Sequence, residues 1–271
     1  MSIATKIIKK IQQTKQKDIV SIIVPIFNKK EFTLQMLSYL FANTEYLYEI
    51  IIIDNNSTDG SEDVIKEFFK VCKPQGVEGL YVKNSENKGF SIANNQGAKI
   101  AKGKYICFLN NDTMPMKNWL AELVECHKKH KAGITGAKLI TPGQGTIQHA
   151  GIEFDNFSYP YHIYGSYDKN AKVVCEDKEH QAMTGACMLV NKNEFLEIGG
   201  FDEKYWLGWE DIDLCNRYRE INKSIWYASK AEVYHYESMS DGRYSKETDN
   251  WYYYSKKWVF ATKSLNKKLY E

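Results

Sequence analysis

Apolar residues along this chain fall into short unbroken runs, and these alternate with stretches of helical period. Residues 19–27, IVSIIVPIF, are apolar on both faces and rich in β-branched side chains, which predicts a fully buried strand. Pro25 stands near its end, where a ladder hydrogen bond is no longer needed. Phe32, Met36, Leu37 and Leu40 then mark a helix over 30–43. A second buried run, 49–53, stops at DNNSTDG (54–60), after which Ser61 reads as a helix cap with Glu62 and Asp63 in a favourable first turn. A third strand, 80–82, leads into Asn84–Phe90 and a helix to about Ala101. The fourth, Tyr105 to Leu109, ends in Asn110-Asn111-Asp112 and is followed by a helix over about 117–129. Four such alternations predict an α/β fold, a parallel sheet covered on both faces with right-handed crossovers.

The texture changes after residue 133. Stretches 133–140 and 146–154 read as strands joined by the Pro142-Gly143-Gln144-Gly145 turn. Residues 155–180 are aromatic and polar with little period, as in a long ordered flap. A strand over 183–190 and a short helix over 193–198, ended by Gly199-Gly200, come next. Then FDEKYWLGWEDID (201–213) runs into a helix, two short strands lie near 224–235, and a basic, aromatic helical tail closes the chain. The expected organisation is a basic segment at 1–18, one domain over 19–240 with halves at 19–132 and 133–240, and a tail at 241–271. Ile3, Ile7, Ile8 and Ile11 give the first segment helical spacing, open to docking on the domain, fraying, or a peripheral membrane contact.

Composition narrows the class. Of 271 residues, 43% are hydrophobic and 26% charged, as in ordinary globular proteins, and the net charge of +2 gives no case for nucleic acid as the main partner. Aromatic residues reach 14%, with many Tyr and Trp beyond residue 150, a composition that suits carbohydrate sites and plain cores alike. The six cysteines are scattered without metal-ligand spacing, several inside apolar runs, which favours reduced thiols and a cytoplasmic protein. No stretch reads as a transmembrane helix or a signal peptide.

The polar clusters carry the chemistry. Ile26–Asn28, Asp54–Asp59, Asn84–Phe90 and Asn110–Asp112 would converge on one edge of the sheet, where ligands of open α/β folds bind. Asp112, flanked by neutral acceptors, suits a divalent cation shared with a phosphate, or else an ordinary strand-end turn. Asp54 could accept the imide N–H of a uracil or thymine ring, or cap its own turn. No G-x-G-x-x-G follows the first strand, which disfavours a dinucleotide-binding domain. His149 could reach a donor or acceptor or be structural, and His127 and His130, set among lysines, read as a solvated helix face.

Taken together, VSIIVPIFN, IIIDNNSTDGS, NKGFSIANNQG, FLNND, MTGACMLV, GGFDEKYWLGWEDIDLCNRYRE and VYHYES resemble family 2 glycosyltransferases of the GT-A fold, over roughly residues 19–240. The nearest sub-group in feel is the bacterial rhamnosyltransferase-like set that builds surface glycans or glycosylates proteins. The resemblance implies a mostly parallel central sheet flanked by helices, with a Rossmann-like nucleotide-binding half and an acceptor half. It implies an inverting hexosyl- or deoxyhexosyltransferase that uses Mn²⁺ or Mg²⁺ and a UDP- or dTDP-linked sugar. The acceptor would be a glycan, lipid-linked or protein hydroxyl. Carried over by position, Pro25, Phe27 and Asn28 lie along the nucleotide, Asp54 binds the base, and Asn87, Lys88 and Gly89 approach the donor. Asn110-Asn111-Asp112 stands where the family has D-x-D, with Asp112 as metal ligand and Asn110 as a departure able to bind ribose hydroxyls. His235 is the expected second ligand and Asp211 the base, with Glu210 beside it to orient the acceptor and Asp213 a helix-dipole complement. Trp206 and Trp209 could stack on a sugar, and Thr184-Gly185-Ala186 could allow close backbone approach.

Two rival classes stay on the page. A sugar-1-phosphate nucleotidyltransferase should carry a Gly-rich N-terminal phosphate loop, which VPIFNKKEF does not supply. A catalytically inactive carbohydrate-binding protein of the same fold is kept open by Asn110.

Overall fold

The structure, a computed structural model, describes residues 18–72, 76–156, 158–236 and 247–259. Most of the 1–18 segment and the end of the expected tail lie outside the described residues. Strands β1 (Val20–Ile26), β2 (Tyr48–Asp54), β3 (Glu78–Lys83) and β4 (Tyr105–Leu109) pair in parallel in the order β3-β2-β1-β4. Helices α1 (Lys30–Asn43), α2 (Ser61–Cys72) and α3 (Gly89–Ile100) connect them. The strand order reverses between β1 and β4, so a crevice opens beyond their C-terminal ends.

Antiparallel β11 (Cys187–Asn191) continues the sheet past β4, and β6 (Ile134–Ile140) and β12 (Ile225–His235) follow as a parallel pair. β10 (Lys178–His180) borders β12, which also pairs with β5 (Thr113–Pro115), while β7 (Ile147–His149) pairs with β6. The sheet is therefore mixed, with the expected parallel half joined to an antiparallel-rich half. A separate two-stranded sheet holds β8 (Ile152–Phe154) and β9 (Pro160–His162).

Each face has its own core. Alternate strand residues Ile23, Ile51, Ile53 and Phe108 pack against α3, α5 (Lys192–Glu197) and α6 (Glu210–Glu220). The residues between them, Ile22, Val24, Ile50 and Ile52, pack against α1, α2 and α4 (Trp119–His130). This is why β1, β2 and β4 read as unbroken apolar runs: period-two alternation is invisible when both faces are buried. Helix α7 (Glu247–Tyr254) packs Tyr254 into the first of these cores.

Several expectations are corrected. The third strand, expected over 80–82, is β3, an edge strand over Glu78–Lys83 with its residues exposed or half-buried. Ser61 is the first residue of α2, and the capping carboxylate is Asp59, whose Oδ1 accepts from Ser61 N (3.1 Å) and Oγ (2.5 Å). The 146–154 stretch is broken at Gly151 (φ 132°), whose absent Cβ makes room for His180, so β7 and β8 enter different sheets. Residues 183–186 form a turn ahead of a shorter β11. The two short strands near 224–235 are one strand of 11 residues with an irregularity between Ala228 and Glu232. His127 and His130 are not a solvated face. His127 is buried, its Nδ1 3.0 Å from Thr135 Oγ1, and His130 stacks on Trp226.

Candidate active site

The turns after β1, β2 and β3 are stitched into one polar surface. Asn28, left-handed at φ 56°, donates its N–H to Ser57 Oγ (2.7 Å), and its Oδ1 accepts from Thr58 N (2.8 Å). Asn84 Nδ2 donates to Asn55 Oδ1 (2.9 Å), and Asn55 Nδ2 donates to the carbonyl of Gly89 (3.1 Å). Pro25 is half-buried at the end of β1, and Phe27 is exposed beside it.

Asp54 is fully buried, with Oδ1 accepting from Ser57 N (2.7 Å) and Oδ2 bonded to the Tyr81 hydroxyl. In this arrangement it caps its own turn. Burial, together with hydrogen bonding to that carboxylate, pushes the Tyr81 phenol well above its usual range. Asn87 Oδ1 accepts from Gly89 N (3.0 Å), and Lys88 donates its N–H to Asn55 Oδ1 (3.4 Å). Gly89 is required on two counts. Its φ is +78°, and a Cβ there would lie 2.5 Å from the Trp206 carbonyl oxygen. Trp206 is thus spent on closing this turn, its carbonyl also accepting from Phe90 N (2.9 Å).

The pairing of β5 with β12 sets Thr113 opposite His235 and so brings Asp112 beside the imidazole. Asp112 Oδ1 lies 3.2 Å from His235 Nε2. On the far side, His235 Nδ1 is 2.7 Å from Gln148 Oε1, and Gln148 Nε2 donates to the His235 carbonyl (3.1 Å). That second bond fixes the amide, so Oε1 must accept and Nδ1 must carry the proton. Nε2 then presents a lone pair to Asp112 Oδ1, an oxygen that is buried and makes no hydrogen bond among the described residues. Two facing acceptors repel unless a cation or proton lies between them, and a carboxylate with an imidazole is an ordinary donor set for a divalent metal. The residues therefore fit the metal expected of them. Asn110 Nδ2 stands 3.5 Å from the same Nε2, and Asn111 Nδ2 donates to Thr33 Oγ1 (3.0 Å).

Of these residues, Asn110, Gln148 and His235 line a cavity of about 440 Å³ whose wall also includes His162, Trp209 and Asp211. Asp211 Oδ2 accepts from Gly185 N (2.8 Å) and Oδ1 from Ile212 N (2.8 Å), which aims the carboxylate from the start of α6. A Cβ on Gly185 would stand in ordinary contact, 3.4 Å from Asp211 Cβ, so this backbone approach does not depend on the glycine. Glu210, also on the wall, is nearly fully buried. Asp213 is not a simple dipole complement. Fully buried, it accepts from Arg217 Nε (2.8 Å) and Trp258 Nε1 (2.8 Å) and pairs with Lys257 (2.7 Å).

Trp209 forms an aromatic cluster with Tyr159 (5.7 Å) and Trp251 (5.0 Å) at the cavity rim. His149 does not reach the cavity. It is fully buried, its Nε2 accepts from Thr184 N (3.4 Å), and its Nδ1 meets Nδ1 of His162 at 3.1 Å. Burial holds its pKa well below the usual imidazole value. Sequence reasoning missed Gln148, Tyr81 and His162. Only Gln148 had a signal, as the outward partner of His149 in an alternating strand.

Comparison with known proteins identifies the family and the fold. The family model "Glycosyl transferase family 2" matches residues 21–193, and a model described as "N-terminal domain of galactosyltransferase" matches 166–240. The O-antigen biosynthesis protein RfbC of Myxococcus xanthus is 29% identical over 82% of this chain and 17% of its own length. The minor teichoic acid biosynthesis protein GgaB of Bacillus subtilis (strain 168) is 26% identical over 87% of this chain and 25% of its own length. The chain thus spans a quarter or less of those two relatives. Among solved structures, GalNAc-T7 with UDP, GalNAc and Mn²⁺ superposes with a TM-score of 0.66 at 20% identity, covering 82% of this chain and 44% of that one. The mannosyltransferase PcManGT of Pyrobaculum calidifontis, with GDP-Man and Mn²⁺, gives 0.62 at 14% identity, over 89% and 66%. The fold is GT-A, and the chain belongs to glycosyl transferase family 2.

Proposed function

We propose that this chain is an inverting glycosyltransferase that moves a sugar from a nucleoside diphosphate, UDP or dTDP, to an acceptor hydroxyl of a glycan, lipid-linked or protein substrate. The observation that carries the reading is the facing pair Asp112–His235, whose imidazole lines the same cavity as Asp211. Asp112 and His235 are the residues that would hold Mn²⁺ or Mg²⁺, and such a cation supplies positive charge to the leaving diphosphate. Asn28, Asn110 and the Asn87–Gly89 turn lie along the nucleotide. Asp54 supports that surface from beneath and meets a base only if Tyr81 gives way.

Asp211 is assigned as the base. Its two backbone hydrogen bonds hold the carboxylate still at the cavity wall, the fixed position a base needs. In the reacting step the acceptor oxygen bonds to the anomeric carbon as the carbon–oxygen bond to the diphosphate breaks. The bonding pair leaves with the diphosphate, and the hydroxyl proton passes to Asp211. Attack opposite the leaving group inverts the anomeric centre. Glu210 orients the acceptor, and Trp209 with Tyr159 offers a face for sugar stacking.

The test is release of nucleoside diphosphate from a panel of nucleotide sugars with Mn²⁺ or Mg²⁺. Turnover of at least one donor is expected; neither turnover nor binding with any donor would overturn the reading. Asp211→Asn should lower kcat by about 10²–10⁴-fold with donor affinity nearly unchanged. Wild-type activity in that variant would remove Asp211 as the base.

A further inference from the structure

A second constellation of metal-binding character lies away from the crevice, at the end of α4. Cys126 and His130 stand one helical turn apart and therefore share a face of that helix. Asp177, just ahead of β10, comes against them, and one ligand atom from each of the three lies within 4.8 Å of the others. The imidazole is fixed: it stacks on Trp226 with centroids 3.4 Å apart and planes 14° apart. Its Nε2 is buried and makes no hydrogen bond among the described residues, with Asp177 Oδ2 4.0 Å away. The carboxylate is fixed too. Asp177 Oδ1 accepts from Ser229 N (3.0 Å) and Oγ (2.9 Å), which leaves Oδ2 for the histidine side. Supporting bonds of this kind orient metal ligands. The other cation at hand, Lys129, is 3.9 Å from Oδ2 on a side chain 63% exposed, and it leaves the imidazole nitrogen unserved.

We propose that Cys126, His130 and Asp177 form a binding site for Zn²⁺ or a similar borderline-soft divalent cation, with water as the fourth ligand. Thiolate, imidazole and carboxylate together select zinc over magnesium or calcium. On binding, the Cys126 thiol gives its proton to solvent as the sulfur–metal bond forms, and nothing is oxidised or reduced. The bound ion ties the 175–177 strap to α4. The strap continues into β10, whose His180 pairs with Glu153 at 2.9 Å, so the clamp secures the sheet margin and not the reacting groups.

Cobalt(II) titration of the purified chain tests this, because a thiolate-to-cobalt charge-transfer band reports cysteine ligation and is silent for an Asp–His site. The band should saturate at one equivalent and be displaced by Zn²⁺. It should persist in Asp112→Asn and vanish in Cys126→Ser. Absence of the band in the folded wild-type chain overturns the proposal, as does its survival in Cys126→Ser. Should Cys126→Ser fail to fold, His130→Gln decides, with about tenfold weaker cobalt binding expected. Unchanged binding there would remove the imidazole from the site.

Discussion

Gln148 decides which nitrogen of His235 is free, and this gives the amide a role that its exposure and type do not announce. Gln148→Leu keeps both proposed metal ligands but removes the acceptor for Nδ1–H. Mn²⁺ affinity, measured by calorimetry, should fall by about 10–100-fold, with the folded state little changed. No such loss of affinity is expected from Gln144→Leu on the neighbouring turn. At this scale the sequence was uneven as a guide. Asp112 and His235 were legible because strand ends and motif order placed them. Gln148 was not, because its contact crosses 87 positions and depends on β7 and β12 flanking β6. Asp54 was legible as a polar strand end, but the Tyr81 hydroxyl that engages it comes from an edge strand with no chemical signature.

Elements fix these side chains through a few positions that tolerate no exchange. Gly89→Ala would combine a left-handed φ with a Cβ 2.5 Å from backbone, so the turn before α3 must move. A loss of about 1–3 kcal/mol is expected in urea unfolding, together with weaker donor binding. Asp213 ties α6 to the segment after α7 through Lys257 and Trp258, and pairs with Arg217 on its own helix. Asp213→Ala should cost about 3–5 kcal/mol, since it leaves the arginine without its buried partner. Limited proteolysis should then cut near 247–259 sooner than in the parent chain. The alternating βα pattern of the first half was readable because parallel strands need long crossovers. The second half was not, since its strands pair across distant positions and are cut by local events such as Gly151. The cap of α2 was misplaced by two residues because Ser61 and Asp59 both satisfy the composition of a cap, and only geometry separates them.

Across the whole molecule, buried neutral imidazoles set the acid response. Burial, aided by Lys223, Lys128 and Lys104, pushes His127 down to about 4, and His149 is lowered as well. A folded pKa below the unfolded one means that the unfolded chain binds more protons between the two values. Stability is therefore full above about pH 6.5 and falls as pH drops toward 4, by on the order of 2–3 kcal/mol for His127. Urea midpoints at pH 7 and pH 5 should differ accordingly, and His127→Gln should flatten that slope. Asp59 and Asp202, held below the usual carboxylate range despite burial by their hydrogen bonds, contribute a separate loss below about pH 4. All six cysteines are free, and five of them are buried. No helix among the described residues is long and apolar enough to cross a membrane.

The irregularity in β12 has a consequence for how this chain tolerates change in length. Before it, Ile225 and Tyr227 face one core; after it, Ala231 and Val233 face the other, so odd-numbered residues change sides within one strand. His235 stands in the same series as Val233. Because side-chain direction repeats every two residues, removing one residue from 229–231 would invert everything downstream and turn His235 away from Asp112. Substitutions at exposed Lys230 should be harmless, whereas a single-codon deletion beside it should silence the site from several residues away.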